Sequence, residues 1–360
     1  MGKTRAESRA HDGDGPPGRG SIHDSSAKGS AMSYRVAVIW AGGDEGDEGA
    51  ERQARRVREA LAQGQFDAYC LRADEGLAPS LLSDRPDVAF PVVSGSLALR
   101  ADVQSLLELA QVPYVGTSSR MSALTTDKSN LPAALAIAAQ QDPVQAMAPF
   151  TLCLGARAID DLGVCDRLDA IEARVPGGYP MCVKPARTVQ GMGVRRVDDA
   201  ASLRDALRAA ARTDGRVLVQ EWVTGVLVSV IVAGDGEDLG VLPPVRIGDG
   251  DGNEPATPDR AGHPRQVPLS ASMLDPDAEL GEAALSQIER DALDSFYACG
   301  ARDLARVDLV WAGGEGSYVL GVDPCPSFAP GSVLDVSTSA AGITLAELAS
   351  ELVSGAAGRG

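Results

Sequence analysis

The chain has 360 residues, a net charge of −17 and 44% hydrophobic residues, with only 4% aromatic. That length suits two or three domains with aliphatic cores. The acidic balance argues against a nucleic-acid partner, because no basic stripe exists to neutralise phosphates.

No apolar stretch approaches the ~20 residues of a membrane-spanning helix. No signal-peptide core stands near the start, so a cytoplasmic protein with no membrane partner is expected. The 6 cysteines form no CxxC and no zinc spacing, and most lie in apolar runs as expected for reduced core residues. The 3 histidines, His11, His23 and His263, fall in polar, Gly/Pro-rich surroundings. A core histidine base is therefore disfavoured, and with it Ser/His and Cys/His hydrolases.

Residues 1–32 are rich in Gly, Ser, Asp and Arg without periodicity and read as a disordered tail. Residues 33–118 read as a small α/β domain with a mainly parallel sheet. Its strands are expected at 35–40, 66–71, 88–91 and 113–116, its helices at 50–63 and 102–109. The turn Gly42-Gly43 lacks the full GxGxxG of a dinucleotide loop. A second unit spans 119–219, with an alanine-rich helix over 128–140, a strand at 150–154 and helices over 166–174 and 200–212. The third, 220–355, is strand-rich. Strands are expected at 217–222 on its border, then at 227–232, 239–247, 304–311 and 318–323, with helices over 277–299 and 345–354. The polar loop 248–265 reads as a lid or a disordered segment.

The organising stretch is Met181-Cys182-Val183-Lys184-Pro185-Ala186, followed by Gly191-Met192-Gly193. A buried strand delivers Lys184 to its end, and the glycines permit a loop whose N–H groups face an anion. Lys128 adds a second cation. Asp308 and Asp323 are borne on expected strands, and Arg306 shares a face with Asp308 at the strand period of two. Two lysines and two strand-borne aspartates are what a nucleoside triphosphate with magnesium requires.

These residues fit a family. The chain resembles the D-alanine–D-alanine ligases of the ATP-grasp superfamily from about Val36 to Leu352. Phe90-Pro91 with Gly95, Gln104, Leu107 and Glu108 keeps the frame of the family's HGxxGEDGxxQGxLE segment. Pro113-Tyr114-Val115-Gly116, Ser122-Ala123 and Asp127-Lys128 look like its PYVG, SA and DK. Val183-Lys184-Pro185-Ala186 looks like its VKPA, and Arg306-Val307-Asp308 with Asp323 and Pro326 sits where RxD and EINxxPG belong.

The resemblance implies an α/β ATP-grasp fold, in which a small parallel-sheet domain precedes two mixed α+β domains enclosing a nucleotide. It implies ATP and Mg2+ as cofactors, amino acids as substrates and a homodimer. The reaction would be a carboxylate–amine ligation through an acyl phosphate. Lys128 and Lys184 would hold phosphates, with Gly191 and Gly193 in the phosphate loop. Gln220, Glu221, Trp222 and Val223 would border the adenine. Asp308 and Asp323 would bind magnesium, Arg306 would stabilise the oxyanion, and Ser332 would help hold the acceptor carboxylate.

Several positions depart from the family pattern. Ser94 and Leu99 replace its histidine and glutamate in the first substrate segment, and Asp47 stands near where a glutamate binds the first amino group. Val189-Gln190-Gly191 replaces Gly-Ser-Ser, and Leu227 replaces the ribose glutamate. Gly321 replaces the glutamate that bridges the magnesium ions, with Asp323 in place of asparagine. An altered substrate is expected. The competing expectation is a non-catalytic nucleotide-binding relative that acts as a partner or regulator.

Overall fold

The computed structural model describes residues 34–41, 47–93, 97–140, 146–155, 159, 165–188, 193–234, 239–248, 266–268 and 280–359. The expected tail, Gly42-Gly43, Gly191 and nearly all of the 248–265 loop lie outside them.

The first sheet has the order β2-β1-β3 and is parallel throughout. β1 is Arg35–Ala41, β2 Asp67–Arg72 and β3 Val88–Val93. Val36, Val38 and Trp40 enter one core, while Ala37, Ile39 and Ala41 enter another. Both faces are buried, so β1 reads as a continuous apolar run rather than an alternating one. Helix α1 (Asp47–Gln63) covers the first face with Ala50, Ala54, Val57 and Leu61. Helices α2 (Leu77–Ser83) and α3 (Leu97–Leu109) cover the second with Leu77, Leu81, Val103 and Leu107. The strand expected at 113–116 is a single bridge between Ala89 and Tyr114. Pro113 has no N–H to extend a ladder, and Gly116, at φ +107°, turns the chain away.

The alanine-rich helix expected over 128–140 is two helices, α4 (Ser119–Thr126) and α5 (Leu131–Ala138). Asp127 breaks the run by accepting the Ser129 N–H at 3.1 Å and the Ser129 hydroxyl at 2.6 Å. Pro132 falls in the first turn of α5, where its missing N–H costs nothing. Lys128 therefore sits in a tight connection, not in a helix.

The second sheet is antiparallel, in the order β4-β7-β5-β6. It comprises β4 (Thr151–Gly155), β5 (Met181–Pro185), β6 (Arg195–Val197) and β7 (Arg216–Glu221). Helices α6 (Cys165–Glu172) and α7 (Ala200–Thr213) pack on one face through Leu168, Ile171, Leu203, Leu207 and Ala210. A capping box between Asp199 and Ser202 starts α7.

The third sheet runs β11-β10-β8-β12-β13, with β9 also on β8. Its strands are β8 (Val226–Ala233), β9 (Gly240–Val241), β10 (Val245–Ile247), β11 (Gln266–Pro268), β12 (Leu304–Trp311) and β13 (Ser317–Asp323). The single strand expected over 239–247 splits at Pro243-Pro244, where two ladder donors are missing. Helix α8 (Glu282–Ala298) buries one face with Ile288, Ala292 and Phe296 against Val228, Val230, Ala305, Val307 and Leu309. On the opposite face, Ile231, Ala233 and Leu304 join the first core. Helices α9 (Val333–Ala341) and α10 (Leu345–Ala357) close that core, α10 lying along α1 with Leu348, Leu352 and Val353. Among the described residues no helix is long and apolar enough to cross a membrane.

Candidate active site

β12 presents Ala305, Val307 and Leu309 to α8, so Arg306 and Asp308 must face the other way. The nearest guanidinium and carboxylate atoms are 3.0 Å apart. The Ser229 hydroxyl on β8 donates to Asp308 Oδ1 at 2.6 Å. Asp323, paired with Arg306 across the β12–β13 ladder, brings its carboxylate to 3.8 Å from Arg306. Burial would lower the Arg306 pKa, but Asp308 and Asp323 outweigh it and hold it above the ordinary value.

The second sheet and the α4–α5 connection supply the lysines. Lys184 is 5% exposed near the end of β5. Its one hydrogen bond among the described residues runs 3.4 Å to the Leu320 carbonyl on β13. Burial pulls this ammonium well below its usual value, against opposing pulls from Cys182 and Asp308. Lys128 is anchored by its N–H to the Ala186 carbonyl at 3.1 Å, and its ammonium donates to the Thr188 carbonyl. Burial, with Lys184 close by, lowers its pKa to about 8. It still carries its charge at neutral pH.

Lys128, Lys184, Arg306, Asp308 and Asp323 thus form one cluster of three basic and two acidic side chains inside an acidic protein. An enclosed cationic cluster with unmet N–H donors suits a polyphosphate. The two carboxylates offer oxygen donors for a hard divalent cation.

The loop expected to hold phosphate is described from Gly193, at φ +76°. A Cβ there would stand 3.0 Å from the Pro185 ring, so the chain needs glycine. Gln220 and Glu221 end β7, but their side chains tie it to β4 and to the residue before it. Gln220 Nε2 donates to Thr151 Oγ1 at 2.7 Å, and Glu221 Oε1 accepts the Phe150 N–H at 2.7 Å. Trp222 Nε1 is enclosed without a hydrogen-bond partner among the described residues, and the Arg196 guanidinium lies 5.2 Å over its ring. Val223 follows, half-buried. Ser332 is not hydrogen-bonded to the cluster among the described residues; its hydroxyl accepts the Asp335 N–H at 3.3 Å and caps α9. Ser94 and the side chains at 47 and 99 lie outside the described residues.

Ser229 was not among the expected site residues. The signal for it was a lone hydroxyl in the apolar run Val226–Ala233, on the face away from α8. The supports of the 324–332 segment were equally hidden. Gln53 Oε1 on α1 accepts the Phe328 N–H at 2.8 Å, and Arg56 donates to the Phe328 carbonyl at 2.7 Å while pairing with Asp335.

Two sheets that bring these basic and acidic side chains together have the arrangement of an ATP-grasp protein. The fold matches a D-alanine–D-alanine ligase of Bacillus anthracis solved in complex with ATP, at a TM-score of 0.69, 21% identity and coverage of 91% of this chain and 97% of that one. It also matches the VanG D-Ala:D-Ser ligase of Enterococcus faecalis, at a TM-score of 0.71, 20% identity and coverage of 90% and 100%. The D-ala D-ala ligase C-terminus family matches residues 164–354. The vancomycin B-type resistance protein VanB of Enterococcus faecalis is 30% identical over 271 residues, 75% of this chain and 72% of VanB. A D-alanine–D-alanine ligase of Anaeromyxobacter sp. is 29% identical over 323 residues, 90% of this chain and 97% of the relative. The chain belongs to the D-alanine–D-alanine ligase family, as a divergent member, and is an ATP-dependent enzyme of the class that forms C–N bonds.

Proposed function

We propose that the protein joins two amino acids through an acyl phosphate, and that its substrate pair differs from two D-alanines. The observation that carries the reading is the convergence of Lys128, Lys184, Arg306, Asp308 and Asp323 from two sheets and a connecting loop. In this reading Lys128, Lys184 and the loop at Gly193 hold the phosphates. Gln220 to Val223 border the base. Asp308 and Asp323 hold magnesium, which supplies charge neutralisation during phosphoryl transfer. Arg306, fixed by both aspartates, faces the oxyanion formed when the amine attacks. Ser332 lies on the acceptor side. Ser94 and Leu99 stand where the resemblance implies a histidine and a glutamate, which supports a changed first substrate.

The setting proposed is the cytoplasm. Among the described residues Cys70, Cys153, Cys182 and Cys299 are free, as a reducing compartment would keep them. The test is phosphate release from ATP against a panel of paired amino acids, with products weighed by mass spectrometry. The second reading, a nucleotide-binding relative without turnover, is favoured by the missing side chain at Gly321. Nucleotide binding with no product from any pair would select it.

A further inference from the structure

Residues 324–332 leave β13 and have no sheet partner among the described residues. Asp323, proposed for the metal, stands before them, and Ser332, proposed for the acceptor side, is the last of them. The course of this segment therefore sets where an acceptor carboxylate stands relative to the phosphates. Pro324, Pro326 and Pro330 leave it few N–H groups by which it can be held.

Phe328, at its middle, is held by the first domain through ring, N–H and carbonyl alike. Its ring is 2% exposed and meets the Phe90 ring of β3 edge-on, with 5.5 Å between centroids. Its N–H donates to Gln53 Oε1 at 2.8 Å, and its carbonyl accepts Arg56 Nη1 at 2.7 Å. Gln53 Oε1 also accepts the Ser327 hydroxyl at 3.0 Å, and that hydroxyl accepts the Ala329 N–H at 3.2 Å. Asp335 pairs with Arg56 and accepts the Gly331 N–H at 2.7 Å.

Gln53 and Arg56 stand three apart, as neighbours on one flank of α1. Ala54, Val57 and Leu61 beside them are fully buried in the core shared with β1 and α10, so α1 cannot roll to release the segment. The phosphate side is held by other elements. Lys184 bonds to β13, Lys128 to the Thr188 carbonyl, and Asp323 keeps its place in the β12–β13 ladder. Loosening the grip of α1 would therefore free the acceptor end and spare the nucleotide end.

We propose that Gln53 and Arg56 are positioning residues for the acceptor amino acid, acting by fixing the main chain at Phe328 and with it the span between Asp323 and Ser332. The inference rests on the ligase reading and deepens it for the second substrate. The test uses the full chain and the amino-acid pair that gives product with ATP. Phosphate release is followed with the acceptor varied, meaning the amino acid whose carboxylate stays free in the product. Nucleotide affinity is measured separately, by calorimetry with a non-hydrolysable ATP analogue and Mg2+.

Gln53→Met keeps the reach of the side chain and loses the accepting oxygen. The segment then spends less time in its binding-competent course, and the acceptor KM should rise about tenfold. The analogue Kd should stay within about twofold of wild type, a split that a general loosening of the protein would not produce. Gln53→Glu keeps accepting oxygens and should hold the acceptor KM within about threefold of wild type. Ser327→Ala removes one of the two donors to Gln53 and is the milder variant should Gln53→Met not fold; it should raise the same KM about threefold. An acceptor KM that stays unchanged in these variants, or that moves together with the analogue Kd, overturns the inference and leaves the ligase reading standing. A wild-type protein that makes no product from any pair overturns both.

Discussion

Arg306 and Asp308 stand two residues apart on one strand and pair with each other across the same face, 3.0 Å between nearest charged atoms. The guanidinium also lies 3.8 Å from Asp323, so it is the counter-charge that lets two carboxylates share this face. Removing it should leave them repelling. Arg306→Ala is expected to cost roughly 2–3 kcal/mol of stability, less than a fully buried pair because Asp308 is partly exposed. Magnesium should then raise the melting temperature of the variant more than that of the wild type, since the ion replaces the lost charge. Thermal unfolding with and without Mg2+ checks this, and equal shifts would dissociate Arg306 from the aspartates.

Lys184 offers a sharper test of the nucleotide site. It is almost fully buried with a single long hydrogen bond among the described residues. Lys184→Ala should weaken ATP binding by roughly 1.5–3 kcal/mol, the range for a hydrogen bond to a charged group. It should not destabilise the free protein much, because a desolvated charge is removed with it. Equal calorimetric affinities for the two proteins would take Lys184 out of the site.

Asp291 on α8 is 1% exposed. Gln287 Nε2 donates to its Oδ1 at 2.7 Å, while Oδ2 and the neighbouring Ser317 hydroxyl have no partner among the described residues. Burial raises its pKa above the ordinary carboxylate value, partly offset by Ser317 and Gln287. The folded state therefore holds this proton more tightly than the unfolded chain. The stability it contributes is present below the ordinary carboxylate pKa and is lost as pH rises through the elevated one. Asp291→Asn keeps the acceptor for Gln287 and turns a donor toward Ser317. A gain of about 1 kcal/mol at pH 7, shrinking toward pH 4, is expected from denaturant unfolding. A loss at pH 7 would show that the carboxylate is required.

Asp303, 2% exposed, accepts Arg359 at 2.9 and 2.6 Å and the Gly116 N–H at 2.7 Å. Arg359 also donates to the Tyr114 carbonyl at 3.0 Å. Arg359→Ala should cost roughly 2–4 kcal/mol by leaving a buried carboxylate with only the Gly116 N–H and the Arg302 guanidinium 3.8 Å away. Arg359→Lys should recover only part, since one ammonium cannot reproduce the two-pronged contact. Melting temperatures of the three proteins check the order.

How much of this was written in the sequence depends on distance along the chain. The Arg306–Asp308 face followed from strand period, and Lys184 at a strand end followed from the run before it. Lys128 was expected at a helix start because an alanine-rich run follows it. The Asx turn at Asp127 and the proline at 132 moved it into a loop, and both signals were readable. Helix α9 was missed although Ser332 before an apolar run marks its cap. The Asp303–Arg359 clamp and the hold of Gln53 on Phe328 were not readable. Each joins positions far apart in the chain, and no periodicity encodes such a meeting.

The place of α10 has a consequence for how the protein is made. Leu348, Leu352 and Val353 share a core with Val36, Val38 and Leu61. The ribosome releases the first strands and α1 long before it makes the helix that shields them. At roughly 5–20 residues per second, the wait is about 15–60 s. During that interval an apolar flank of the nascent chain faces solvent, where chaperones bind. This core closes only once α10 has been made, and a chain stalled or terminated before it is a substrate for quality control.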